Sequence, residues 1–142
     1  MSGAHHVVVI GGGFAGLETV HRLAGADVRI TIVDRRNHHL FQPLLYQVAT
    51  ASLATSEIAW PIRHLFRRRG DVTTLLAEVT GIDTSLREVA LSTGEILHYD
   101  ALVIATGATH AYFGHDDWEP YAPGLKTLED ATTIRRRILT AF

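Results

Sequence analysis

The chain has 142 residues, 13 Lys and Arg against 15 Asp and Glu, a formal net charge of −2 and no cysteine. The length suits one ordinary domain, and the near-balanced charge argues against a nucleic-acid surface. Without cysteine there are no disulfides, thiolate zinc sites, iron–sulfur clusters or redox thiol pairs, so any redox chemistry must come from a bound cofactor. No apolar stretch approaches the roughly 20 residues of a membrane helix. Met1 to His6 lack the basic start of a signal peptide, and the apolar run after them is short. The expectation is a soluble, cytoplasmic chain, with peripheral attachment to a membrane left open.

Residues 1 to 6 read as a loose leader. Val7-Val8-Val9-Ile10 is a short apolar strand, and Gly11-Gly12-Gly13-Phe14-Ala15-Gly16 after it spells G-x-G-x-x-G. Leu17, Val20 and Ala24 then recur at helical spacing, and Gly25 closes the helix. A second strand, Val28 to Val33, ends on Asp34. Strand, glycine turn, helix, strand and acid together form the dinucleotide fingerprint in its required context. Gly11 permits the tight turn, Gly13 lets a pyrophosphate approach the backbone, and Gly16 lets the helix pack close to the sheet. The helix N-terminus offers N–H groups to phosphates. Asp34, 21 residues after Gly13, can accept hydrogen bonds from ribose hydroxyls.

Arg35-Arg36-Asn37-His38-His39 lacks periodicity and reads as a loop at the carboxyl end of the second strand, where ligands sit in open α/β sheets. Its arginines can be solvated, flank an adenosine or bind a 2′-phosphate; the Asp34 carboxylate argues against the last. Leu40 to Ala49 is dense in apolar residues and predicts a buried helix starting near Pro43. Trp60 to Phe66 predicts another, started by Pro61, with Ile62, Leu65 and Phe66 inward and Arg67-Arg68-Arg69-Gly70 at its end. Val72 to Ile82 reads as one strand. Leu86 to Leu91 and Glu95 to Tyr99 flank Ser92-Thr93-Gly94, a hairpin signal. Asp100 to Ala105 reads as a buried central parallel strand, ending in Thr106-Gly107. Thr127 and Asp130 make a capping box for a last helix with Ile134, Ile138 and Leu139 inward and Arg135 to Arg137 solvated. The fold class is α/β: a Rossmann-like domain with a central parallel sheet and a small antiparallel β-meander.

Nine histidines invite a metal reading. His5-His6 and His38-His39 are adjacent pairs that do not share a face, and no H-E-x-x-H occurs, so no metal site is expected. No G-x-S-x-G elbow or Walker lysine appears either.

With these residues on the page, the chain resembles the N-terminal part of the type II NADH dehydrogenases. These are FAD-containing, non-proton-pumping NADH:quinone oxidoreductases within the FAD/NAD(P)-dependent pyridine nucleotide-disulfide oxidoreductases. The resemblance runs through Val9 to Leu17, Phe41-Gln42-Pro43-Leu44-Leu45-Tyr46-Gln47-Val48-Ala49, Ala77-Glu78-Val79, Tyr99 to Gly107, Tyr112 to His115 and Pro123 to Ala131. It implies FAD at the first glycine loop: Gly11, Gly12, Gly13, Phe14, Ala15 and Gly16 on its pyrophosphate, and Asp34 on its adenosine ribose. It further implies Arg35 and His39 along the adenosine–diphosphate cleft, Val79 meeting the adenine through its backbone, Thr106 and Gly107 passing the diphosphate, and Pro43 to Gln47 on the flavin side. NADH and a quinone would be substrates of the complete protein. The family's second glycine-rich unit for NADH, its return segment and its membrane-contacting C-terminal helices have no counterpart in residues 1–142. Those residues then read as the N-terminal portion of an FAD-binding domain, inactive alone, with room for a homodimer. No catalytic residue is expected, because the flavin carries the reactivity.

Two other readings stay open at this point. One is a related reductase, such as a ferredoxin reductase; a disulfide reductase would carry a cysteine pair. The other is a non-catalytic FAD- or NAD-binding module acting through a partner.

Overall fold

The structure, a computed structural model, describes residues 4–142. They form two compact units: one holds the residues up to His39 and Pro61–Gly107, the other Leu40–Trp60 and Ala108–Phe142.

The first unit is built on β1 (His5–Ile10) and β2 (Val28–Asp34), joined by α1 (Phe14–Arg22). They pair in parallel, with Val7 opposite Ile30 and Val9 opposite Ile32. β5 (Val72–Leu76) adds to the free side of β2, and β9 (Ala101–Ile104) to the free side of β1, giving the order β5-β2-β1-β9. Successive strand side chains point to opposite faces. Val7, Val9, Ile30 and Ile32 therefore face Leu17 and Val20 of α1 together with Ile62 and Phe66 of the α3 (Ile62–Leu65) region. Val8, Ile10 and Val33 face the other way, onto Ala77, Val89, Leu91 and Leu97. The last three belong to β7 (Glu88–Leu91) and β8 (Ile96–His98), which form an antiparallel sheet with β6 (Val79–Asp83). A parallel sheet covered on both faces explains why β1 reads as an unbroken apolar run.

In the second unit, α2 (Leu45–Ala49) follows a 3₁₀ turn at Gln42–Leu44 and packs on α4 (Leu128–Leu139). Leu45, Val48, Ala49, Ile58 and Ala131 form its core. The capping box at α4 forms: Thr127 accepts the Asp130 N–H at 3.1 Å, and the Asp130 carboxylate accepts the Thr127 N–H at 2.9 Å. Burial works to raise the Asp130 pKa, but the N–H bonds from Lys126 and Thr127 hold it below the ordinary range. β3 (His38–Leu40) and β4 (Ala59–Pro61) form a separate two-stranded sheet. No helix among the described residues is long and apolar enough to cross a membrane.

Several expectations need correction. Residues 1–3 of the expected leader lie outside the described residues, while His5 and His6 open β1. The loop expected at 35–39 ends in a short strand. The segment 72–82 is two strands, since the chain leaves its parallel partner β2 at Leu76 and takes up an antiparallel partner, β7, at Val79. Among the described residues β9 stands at the end of the sheet order rather than inside it, and Ile104 is 64% exposed. Ala59 to Pro61 is strand, so the expected helix shortens to α3, and Gly70 does not take the left-handed conformation of a glycine cap. Ile138 and Leu139 are exposed, because five-residue α2 covers only the first turns of α4. Arg135 and Arg137 donate to the carbonyls of Leu53 and Pro120.

One buried polar group ties the amino ends of the strands. His6 Nδ1 donates to the His98 carbonyl at 2.6 Å, and its Nε2 accepts from the Thr31 hydroxyl at 2.8 Å. Its N–H donates to the Asp100 carboxylate at 2.8 Å. The neutral ring with its hydrogen on Nδ1 satisfies both contacts, the Thr31 hydroxyl turning its hydrogen to Nε2. Burial, the largest influence, holds the His6 pKa below 6.5, helped by Arg29 and opposed by the His98 carbonyl and Asp100. The unfolded chain therefore takes up this proton at a higher pH than the native one. The stability owed to neutral His6 is present above pH 6.5 and is lost as pH falls below it. Urea unfolding midpoints taken from about pH 8 to about pH 5 should decline across that window, and His6→Gln should flatten the decline. An equal decline in both proteins would remove His6 from the explanation.

Candidate functional site

The site lies at the carboxyl ends of β1, β2 and β9. Gly11 leaves β1 with φ +105°, its N–H donating to the Val33 carbonyl at 2.8 Å, and the Ala105 N–H donates to the Ile10 carbonyl at 2.8 Å. A Cβ at Gly11 would stand 2.3 Å from the Ala105 carbonyl oxygen, so backbone passes on that side too closely for any side chain. At Gly16 the built Cβ would lie 1.9 Å from the Gly11 oxygen. Alanine there would gain about 1 kcal/mol of helix propensity, but that distance is far inside van der Waals contact, and the clash decides. Gly12 is closed by a side chain: its Cβ would overlap the fully buried Ile62, with Cδ1 2.2 Å away.

Gly13 is different. It is the N-cap of α1 at φ −77°, an ordinary backbone conformation, and a Cβ there meets nothing within 4 Å. This open ledge sits at the N-terminus of α1, where amide N–H groups and the helix dipole favour an anion.

Asp34 holds the turn from the neighbouring strand end. One carboxylate oxygen accepts the Gly12 N–H at 2.6 Å and the other accepts the Arg36 N–H at 2.6 Å. Each oxygen retains a second lone pair, so hydroxyl donors can still be bound. On the other side of the same glycine, His39 Nδ1 lies 3.0 Å from the Gly12 carbonyl oxygen, and its ring meets Phe14 edge-on at 5.0 Å.

Beside the turn is a cleft of about 260 Å³. Ile10 and Gly11 line it from β1, Val33, Asp34 and Arg35 from β2 and just beyond, Ala77 to Val79 from the β5–β6 connection, and Thr106 from the end of β9. That volume is below the about 300 to 1,000 Å³ of a drug-sized site, which suits one half of a dinucleotide. Its walls carry two carboxylates, Asp34 and Glu78, against one cation, Arg35. Such a pocket suits hydroxyl and amino donors rather than a further phosphate.

The structure thus brings Gly11, Asp34, Arg35, Val79 and Thr106 to one cleft, with Gly12 to Gly16 and His39 in the turn beside it. Gly107 follows Thr106 with φ +73°. Pro43 stands in the second unit, within the 3₁₀ turn. Sequence reasoning missed Ile62 as the residue that seals Gly12, and Glu78 as a lining residue. Glu78 was hidden inside a segment that reads as one strand; nothing local marks Ile62.

The sequence profile of the pyridine nucleotide-disulphide oxidoreductases matches residues 5–140. The chain is 45% identical over 145 aligned residues to the type II NADH:quinone oxidoreductase NdhA of Mycobacterium tuberculosis, covering 100% of this chain and 31% of the relative. Among solved structures it is similar to the sulfide:quinone oxidoreductase of Aquifex aeolicus, with a TM-score of 0.87, 29% identity and coverage of 96% and 32% of the two chains. It also matches NDH2 from Plasmodium falciparum, with a TM-score of 0.86, 24% identity and coverage of 96% and 29%, a likeness of fold alone. The chain spans about a third of the length of the relatives it matches.

The four glycines make separable demands. Gly12→Ala should lower the free energy of unfolding by about 1–3 kcal/mol, the usual effect of overpacking a closed site. Gly13→Ala should cost less, at most about 1 kcal/mol, the effect of placing alanine at an N-cap that has open space around it. Urea titration of both variants checks this, and equal losses would show that Gly13 is also a packing glycine.

Proposed function

The chain belongs to the pyridine nucleotide-disulphide oxidoreductases, and from that premise we propose that it forms the FAD-binding portion of an enzyme that passes electrons from NADH through FAD to a quinone. Residues 1–142 are, in this reading, the N-terminal portion of the FAD-binding domain. The observation that carries it is the open ledge at Gly13, at a helix N-terminus, beside a cleft whose carboxylates suit hydroxyl donors. The fit to FAD follows from that chemistry: anion-binding amides for the diphosphate and acceptors for the adenosine ribose. The 45% identity to a named NADH:quinone oxidoreductase supports the choice of substrates.

Each residue then has a task. Gly13 gives the diphosphate its approach to backbone amides. Asp34 accepts from the ribose while holding the Gly12 N–H, and its charge disfavours a 2′-phosphate at that position. Arg35 flanks the adenosine, Val79 meets the adenine through its backbone, and Thr106 and Gly107 pass near the diphosphate. Bound FAD would supply the carrier that takes hydride from NADH and hands electrons to the quinone. The side chains at this cleft bind and orient, and none is assigned an acid, base or nucleophile role. A quinone is a lipid-borne acceptor, so the proposal extends to a peripheral protein on the cytoplasmic face of a membrane. Self-association of the longer protein is part of the same reading.

The test is an absorption spectrum of the purified chain with FAD added and NADH then titrated in. We expect weak uptake of FAD, with flavin bands that NADH leaves unbleached. Gly13→Ala should weaken uptake about tenfold, a loss on the scale of one hydrogen-bonded contact. Failure of the parent chain to take up FAD at any concentration would overturn the reading. Bleaching by NADH would place a nicotinamide site within these 142 residues.

A further inference from the structure

The glycine turn contains one residue, Gly12, held on three sides. The Gly12 N–H is held by Asp34 at 2.6 Å, its Cα faces Ile62 with no room for a methyl group, and its carbonyl lies 3.0 Å from His39 Nδ1. A carbonyl oxygen can only accept, so this contact requires the hydrogen of His39 to be on Nδ1. Of these contacts, only the one to His39 falls on the Gly12–Gly13 peptide itself; Asp34 and Ile62 hold the residue before it. In a planar trans peptide the N–H points opposite to the C=O. With the Gly12 carbonyl turned to His39, the Gly13 N–H points to the side away from His39. The space at Gly13 is open.

We propose that His39 is a positioning residue of the glycine turn: by donating Nδ1–H to the Gly12 carbonyl it holds the Gly13 amide in the orientation that receives a diphosphate. This rests on the reading that a dinucleotide diphosphate binds at this turn, and adds to it the residue that orients the receiving amide. Asp34 and Ile62 place Gly12 but leave the peptide on its carboxyl side able to rotate; His39 is the only residue among these three that touches that side. The edge-on contact with Phe14, at 5.0 Å and 87°, keeps the imidazole ring in register with the first residue of α1. Ring, carbonyl and helix start form one unit, and a loss of the donor should be felt at the phosphates and not at the nucleoside.

The experiment compares ADP and adenosine as probes on the intact chain by calorimetry. His39→Phe keeps a ring against Phe14 and removes the donor; His39→Asn returns an N–H at nearly the same reach. The expected result is that His39→Phe weakens ADP about tenfold, the effect of one lost oriented hydrogen bond, with adenosine unchanged. His39→Asn should restore most of the ADP affinity. Equal losses of ADP and adenosine, or none, would overturn the proposal, since a merely structural residue gives one or the other. A parent chain that binds adenosine but not ADP, or neither, fails at the earlier reading and takes this one with it. Should His39→Phe not fold, ¹⁵N NMR of the parent decides. An Nδ1–H tautomer at His39 and a large Gly13 amide shift on adding ADP support the assignment; an Nε2–H tautomer, or a Gly13 amide that does not respond, refutes it.

Discussion

The first unit depends on one short hydrogen bond, from the Gly12 N–H to the Asp34 carboxylate at 2.6 Å. It joins the end of β2 to the turn that follows β1, two points 22 residues apart in sequence. A carboxylate accepting backbone N–H groups makes a charge-assisted bond, roughly twice as strong as a neutral one. The second oxygen of Asp34 takes the Arg36 N–H at 2.6 Å, so the same side chain also shapes the departure from β2. Without this acid the turn would keep the Gly11 N–H bond to the Val33 carbonyl and the His39 contact on the Gly12 carbonyl, but would lose its charge-assisted tie to the end of β2.

The parallel sheet supplies the platform for that bond. β1 is inserted between β2 and β9, and its alternate residues serve two separate cores: Val7 and Val9 with the helices, Val8 and Ile10 with the antiparallel sheet. With both faces covered, side chains have no freedom to signal binding by polarity along the strands. The polar chemistry is pushed to the strand ends. At the amino ends it is structural, in His6, Thr31 and Asp100. At the carboxyl ends it is left available for a ligand, in Asp34, Arg35 and Glu78. The sheet thus sorts its few polar groups into a mutually hydrogen-bonded set at one end and a set lining a cleft at the other, as expected for α/β folds in which ligands bind outside the carboxyl ends.

What could be read from sequence follows the range of the interactions. The β1–α1–β2 unit was legible because turn, helix and acid occur within one short stretch and each carries its own residue signature. The hairpin at Ser92 to Gly94 and the capping box at Thr127 were legible for the same reason: their partners lie within four residues. The change of partner at Ala77 and Glu78 was not, because whether a strand pairs with β2 or with β7 is decided across the sheet and leaves no periodicity behind. The place of β9 at the end of the described sheet order was hidden likewise; its apolar composition resembles a central strand, and only the sheet order separates the two. His6 bonds Asp100 across 94 residues, and no local pattern announces it. At the site, acid and glycines were visible from sequence alone. Arg35 was legible as flanking an adenosine, though equally as solvated; His39, Val79 and Thr106 came only through resemblance, and Ile62 and Glu78 emerged only once the chain was folded.

The glycines themselves separate what the fold requires from what a ligand requires. Gly11 is needed for a left-handed turn against backbone, Gly12 because Ile62 fills the space, and Gly16 because α1 rests on the Gly11 carbonyl. Packing alone accounts for all three, so their presence says nothing about a bound molecule. Gly13 has an ordinary φ and open space around it, so neither backbone strain nor packing demands a glycine there. At an N-cap glycine is preferred to alanine but not to serine, asparagine or aspartate, so capping alone does not single it out. On the proposed reading, glycine at this position also leaves the backbone open to a ligand where a methyl group would stand. A diphosphate at the N-terminus of α1 has both the charge to be drawn there and the bulk to need the room.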